Sequence, residues 1–161
     1  MAALNPGVDV EVIPRLLEES ELGTLLRRVD LVVDATDNYP IRYALNRACI
    51  AAGIPLVSGA AVRSEGQVAV FDPTRGGPCY RCLYPLDEAE TALSCSDSGV
   101  LAPVVGVVGS LQAMEALKVI SGFGEPLRGR LLVLDMRTME IRTLSLSPRE
   151  GCEDCAQLRT D

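Results

Sequence analysis

Two Cys-x-x-Cys pairs, Cys79/Cys82 and Cys152/Cys155, stand 69 residues apart in a chain that has no histidine. If their four sulfurs meet, the middle of the chain and its end must lie side by side, and few folds allow that closure. Zn²⁺ accepts four thiolates in structural sites, and a two-residue spacer lets both sulfurs of one pair reach the same ion from a tight turn. Each pair could instead be a redox dithiol or two free thiols. A redox pair sits where a strand feeds a helix. Gly77-Pro-Cys-Tyr-Arg-Cys82 and Gly151-Cys-Glu-Asp-Cys155 read as turns, so the spacing favours a metal centre at Cys79, Cys82, Cys152 and Cys155.

The absence of histidine also removes Ser-His and Cys-His catalytic pairs, leaving proton transfer to carboxylates, lysine or water. Reactions governed by phosphate positioning and electrostatics stay open. The net charge is −7 with acidic residues scattered, and aromatic residues are 4% of the chain without tryptophan. Neither a basic nucleic-acid surface nor a base-stacking platform is expected. The longest apolar run, Val100 to Val108, is broken by Pro103 and Gly106, too short to span a bilayer. Six cysteines without a signal-peptide pattern point to a reducing cytoplasm.

At 161 residues with 48% hydrophobic content the chain suits one domain. Val8 to Ile13 alternates apolar and acidic residues and predicts an edge strand, followed by a helix from Arg15 to Arg28. Leu31-Val-Val33 predicts a strand buried on both faces. Pro40 to Ala52 carries a helical apolar stripe that includes Cys49, closed by Gly53 and Pro55. Strands are expected from Pro55 and over Gln67 to Phe71, then a polar crossing loop from Leu83 to Gly99. Pro103 to Ile120 predicts a helix apolar nearly all round, buried in the core or against a subunit partner. Leu131 to Leu134 and Met139 to Thr143 predict a closing hairpin before the second cysteine pair. Strands alternating with helices indicate a Rossmann-like α/β fold, its sheet mostly parallel with helices on both faces.

Asp37 and Asn38 follow the buried strand, where ligands bind in open α/β sheets. A carboxylate there can hold Mg²⁺ on a nucleotide, or either residue can simply cap the helix. Arg42, one turn on, could reach a phosphate or be a solvated surface arginine. Cys95, in Ser94-Cys-Ser-Asp-Ser98, is either a reactive thiol or an ordinary exposed one, with no cationic neighbour to lower its pKa. Cys49 reads as core.

Asp34-Ala-Thr-Asp-Asn38, Pro55-Leu-Val-Ser-Gly-Ala-Ala-Val-Arg63, Glu65-Gly-Gln67, Gly77-Pro-Cys-Tyr-Arg-Cys82, Gly99-Val-Leu-Ala-Pro-Val-Val-Gly106 and Gly109-Ser-Leu-Gln-Ala-Met-Glu-Ala-Leu-Lys118 follow one another in an order that resembles the MoeB/ThiF/HesA family, relatives of ubiquitin-activating enzymes. The resemblance covers essentially the whole chain and matches the C-terminal part of that family's adenylating domain. It implies adenylation, by ATP, of the C-terminal glycine of a ubiquitin-like sulfur-carrier protein of the MoaD or ThiS type: the glycine carboxylate attacks the α-phosphate and pyrophosphate leaves. By position, Asp37 matches the family's magnesium and ATP aspartate, and Asn38 its nucleotide-contacting neighbour. Cys79, Cys82, Cys152 and Cys155 match its structural zinc ligands, and Cys95 the catalytic crossover-loop cysteine that some members use for a covalent link to the carrier and others do not depend on. A homodimer is implied as well. No Gly-x-Gly-x-x-Gly follows a strand in the 161 residues. The family's phosphate loop, ribose-holding acid and phosphate-binding Arg and Lys are therefore expected before Met1, and the chain alone is expected to bind ATP weakly and not to adenylate a carrier. The alternative expectation is a non-catalytic zinc-stabilised module that docks such a carrier or a partner subunit.

Overall fold

The computed structural model describes residues 3–85 and 98–159. Its elements are α1 (Glu19–Leu25), β1 (Val32–Asp34), α2 (Tyr39–Ala52), β2 (Leu56–Val62), β3 (Glu65–Phe71), the one-turn α3 (Tyr80–Leu83), α4 (Ala102–Ser121), β4 (Arg130–Asp135) and β5 (Glu140–Ser145). The strands form one sheet in the order β1-β2-β3-β4-β5.

The sheet is mixed, which corrects the expected mostly parallel one. Only β1 and β2 run parallel, with Val33 opposite Val57; β2-β3, β3-β4 and β4-β5 are antiparallel. The connection between β2 and β3 explains the difference. It consists of Arg63 and Ser64 alone, whereas a parallel crossover needs a dozen residues or more. Arg63 takes a positive φ of 53° to close this turn, and Arg-Ser is not a residue pair that announces a hairpin.

Neighbouring residues of β2 point to opposite faces, and helices cover both faces as expected. Leu56 joins Phe71 and Leu131 under Leu26 from the turn after α1 and under Ala48 and Cys49 of α2. Val57 joins Val68, Val70 and Leu134 under Val104 and Val108 of α4. α4 comes very close to the sheet because glycines lie beneath it. A Cβ on Gly59 would stand 2.2 Å from the Gln112 side chain, and one on Gly66 would stand 2.6 Å from Val108.

Further expectations are corrected, the first at β1, which is not buried on both faces because Val33 is 46% exposed. Val8 to Ile13 forms no strand: it is exposed and has no ladder partner among the described residues, so its alternation alone does not produce one. α1 begins at Glu19 rather than Arg15, because Glu18 and Glu21 form a reciprocal capping box at that point. α4 is buried on one face only, at Val104, Val108, Gln112 and Glu115. Val105, Met114, Leu117 and Ile120 remain exposed on its other side. By length and composition this helix could also cross a membrane, although its buried face packs on β2 and β3.

Candidate metal centre and the cleft beyond the first strand

The first cysteine pair straddles α3: Cys79 is the residue before it and Cys82 lies within it. The second pair lies in the turns after β5, and the hairpin returns these turns to α3. All four sulfurs fall within 4.8 Å of one another. Cys79 and Cys82 are 3.9 Å apart, Cys79 and Cys152 3.7 Å, and Cys82 and Cys155 3.5 Å. A tetrahedral ion with bonds of about 2.3 Å to sulfur requires edges of about 3.8 Å, so the donor set fits a thiolate-bound metal. No disulfide joins these four sulfurs.

Electrostatics within the cluster agree with that fit. Cys82 is held well below the usual thiol range, first by the hydrogen bond from Cys79 and further by the backbone N–H of Arg149 at 3.3 Å. Cys79, as the proton's holder, is pushed far up by that same bond and then by burial. One proton shared between neighbouring sulfurs is what a cation would displace. Cys49, by contrast, is pushed up to about 12 by burial and belongs to the core, as expected.

The second constellation lies at the C-terminal end of β1. Asp34 is buried, and its Oδ1 accepts hydrogen bonds from the Thr36 backbone N–H (2.9 Å) and hydroxyl (2.7 Å). That turn lifts Asp37 to the surface. Asn38 caps α2, its Oδ1 accepting the Ile41 N–H at 3.1 Å, while its amide donates to Asp37 at 3.2 Å. Pro40 in the first turn and Gly53 at φ 71° complete the helix. Asp37 lines a cleft of about 330 Å³ with Thr36, Gly59, Val105, Gly109 and Gln112. The metal centre and this cleft are separate sites, and Cys95 lies outside the described residues.

Arg42 is neither surface arginine nor free phosphate ligand. It is buried, donates through Nε and a terminal nitrogen to the Thr36 carbonyl and through the latter to Gly59 at 3.4 Å, and sits 3.9 Å from Asp34 Oδ2. Gln112 was not anticipated either. Its amide donates to the Asp34 carbonyl at 2.7 Å and the Val57 carbonyl at 3.3 Å, tying α4 to β1 and β2. The signal was present: a polar residue on the sheet-facing stripe of an apolar helix needs a buried partner.

The described residues thus form an α/β domain with a cleft at the end of its parallel strand pair and, apart from it, four clustered thiols that could hold a metal ion. The chain belongs to the ThiF family, whose model matches residues 1–154. It is 46% identical over 157 residues to the molybdopterin-synthase adenylyltransferase of Escherichia coli, covering 98% of this chain and 63% of that protein. It is 48% identical over 160 residues to the sulfur carrier protein adenylyltransferase of Thermus thermophilus, covering 96% of this chain and 59% of that protein. The chain thus spans about three-fifths of the length of these relatives. The crystal structure of E. coli MccB with ATP shares its fold, with a TM-score of 0.72 at 21% identity, over 96% of this chain and 47% of that one.

Proposed function

We propose that the chain serves ATP-dependent adenylation of the C-terminal glycine of a ubiquitin-like sulfur-carrier protein. The observation that carries this reading is Asp37, a carboxylate left exposed at the mouth of a cleft at the end of the parallel strand pair, in a chain whose relatives bear adenylyltransferase names. Asp37 would hold Mg²⁺ on the nucleotide, and Asn38 would face the same ligand while capping α2. The magnesium supplies charge neutralisation on the phosphates when bound. The residues of this chain supply its anchor, the rigid Asp34-Thr36-Arg42 turn beneath that anchor, and the glycine-floored cleft in which a flexible chain terminus can lie.

Zn²⁺ is the ion we assign to Cys79, Cys82, Cys152 and Cys155, in a structural role distant from the chemistry. The exposed apolar side of α4 suits a second copy of the chain, so we assign a homodimer; light scattering on the Leu117→Glu variant, expected to be monomeric, tests this.

The activity is proposed to be incomplete in this chain alone, so the adenylation reading is tested in a protein that joins the chain to the family's phosphate-loop segment, by carrier-dependent exchange of radiolabelled pyrophosphate into ATP. Asp37→Asn is expected to lower exchange about 10²–10³-fold with an unchanged melting temperature. A second reading has its own observation. Among the described residues lining the cleft the only cation is Arg42, and it is committed to backbone carbonyls. A non-catalytic module that docks the carrier would then remain. Carrier binding with no nucleotide dependence and no exchange would establish that reading and overturn the first.

A further inference from the structure

The spacers of the two cysteine pairs, rather than the sulfurs, carry a second connection between the same two turns. Arg81 lies between Cys79 and Cys82, and Glu153 and Asp154 lie between Cys152 and Cys155. Arg81 Nη1 donates to Asp154 Oδ1 at 2.9 Å and Nη2 to Glu153 Oε2 at 2.7 Å. The other oxygen of Asp154 accepts from the Asn46 amide at 2.8 Å, and Asn46 Oδ1 accepts the Tyr80 backbone N–H at 2.9 Å. One side chain of α2 therefore grips both turns at once. The side chains of Arg81 and Asp154 are 12% and 5% exposed, whereas that of Glu153 is 74% exposed.

We infer that Arg81, Asp154 and Asn46 are positioning residues that latch the two ligand turns together without metal, so that the four-thiol cage exists before an ion enters it. The inference rests on the metal reading above but is physically separable from it, since no bond of the latch involves a sulfur. Charge-assisted bonds out of water are strong and directional. The exposed Glu153 arm contributes little by comparison. Removing either buried partner strands the other's charge, which costs more than the pair gains. Many small zinc modules, by contrast, are unfolded when metal-free. Here the ordering of the C-terminal turns is already done when the ion arrives, and binding need not supply it.

Hydrogen exchange of the reduced, metal-free chain tests the latch, read at 150–158, where the backbone N–H groups of Cys152, Ala156 and Leu158 are bonded within the turns. Wild type is expected to protect this segment with and without Zn²⁺. Asp154→Asn and Arg81→Met are expected to lose that protection only when metal-free, with β2 and β3 unchanged, and to bind Zn²⁺ about 10- to 100-fold more weakly in competition with a chromophoric chelator. Arg81→Lys, which keeps the charge without the fork, should recover part of both. Loss of protection in the metal-free wild type overturns the latch, as do variants with wild-type protection and affinity. If Arg81→Met loses protection throughout the sheet, the shape-conserving Asp154→Asn decides. A wild type that binds no Zn²⁺ overturns the metal reading alone, because metal-free protection still decides the latch.

Discussion

At the N-terminal end of α2 the chain leaves Asp37 exposed beside an open cleft, while further along the same helix Asn46 bonds Asp154, between the second pair of cysteines, and Ile50 packs against the buried thiols. The two regions are built on opposite principles. In the thiol centre Cys79, Cys152 and Cys155 are 0% exposed, and each donor faces another donor of the same chain. At the cleft Asp34 accepts from Thr36 through Oδ1 and keeps Oδ2 beside Arg42 without a hydrogen bond, Arg42 and Gln112 donate to backbone carbonyls, and Asp37 is the exposed carboxylate among the described lining residues. A site whose donors face one another contributes to stability; one that keeps an exposed carboxylate at the rim of a cleft is prepared for something else. The contrast predicts that lesions in the first region move stability and metal content, whereas a lesion at Asp37 moves neither.

The largest effect is expected from Cys79→Ser. Removing one thiolate from a tetrahedral set destroys tight zinc binding, and the free energy of binding is lost from the folded state. We expect a loss of about 3–5 kcal/mol, or roughly 10 °C in melting temperature for a chain of this length. A chelator should lower the wild-type melting temperature by a similar amount and leave that of Cys79→Ser unchanged. A wild type indifferent to chelation would erase the contrast between the regions.

Gly59→Ala comes next and tests the wall of the cleft. The added methyl would stand 2.2 Å from Cδ of Gln112, and this side chain has no slack because its amide is held at Asp34 and Val57. Displacing α4 or abandoning those bonds should cost about 1–3 kcal/mol. Thermal melts read that cost, and zinc content measured on the same sample should stay at the wild-type value. Loss of both together would show that the two regions are coupled through the sheet.

How far these regions could be read in advance follows from the range of the interactions. The meeting of the four cysteines was legible because two Cys-x-x-Cys turns are local patterns that suit a shared ion, and the structure brings their sulfurs within 4.8 Å of one another. α2 was legible within a residue, since its stripe, Pro40 and Gly53 are local too. The antiparallel half of the sheet was not. Nothing in Arg63-Ser64 marks a tight turn, and the pairing of β3 with β4 joins residues more than 60 positions apart, such as Val68 with Leu132. Arg42 was misplaced for the same reason: its partners Thr36 and Gly59 come together only when β1 and β2 pair. Val8 to Ile13 shows the converse, a correct alternation that finds no partner strand among the described residues.

The smallest expected effect separates two neighbours that the sequence alone left interchangeable. Either Asp37 or Asn38 could have been the helix cap, and the geometry gives that role to Asn38, whose Oδ1 accepts the Ile41 N–H. Asn38→Ala leaves this N–H without its partner at the helix end and should cost about 1 kcal/mol, or some 2–4 °C. Asp37→Ala removes an exposed side chain whose described contact is the Asn38 amide at 3.2 Å, so it should stay within about 0.5 kcal/mol of wild type. The same pair should reverse order in ligand binding, with Asp37→Ala losing magnesium-dependent nucleotide affinity and Asn38→Ala keeping more of it. Isothermal titration of Mg²⁺-ATP beside thermal melts of both variants separates the roles. If Asp37→Ala proves the more destabilising of the two, the carboxylate is structural, and the distinction between a closed centre and an open cleft fails at the residue that defines it.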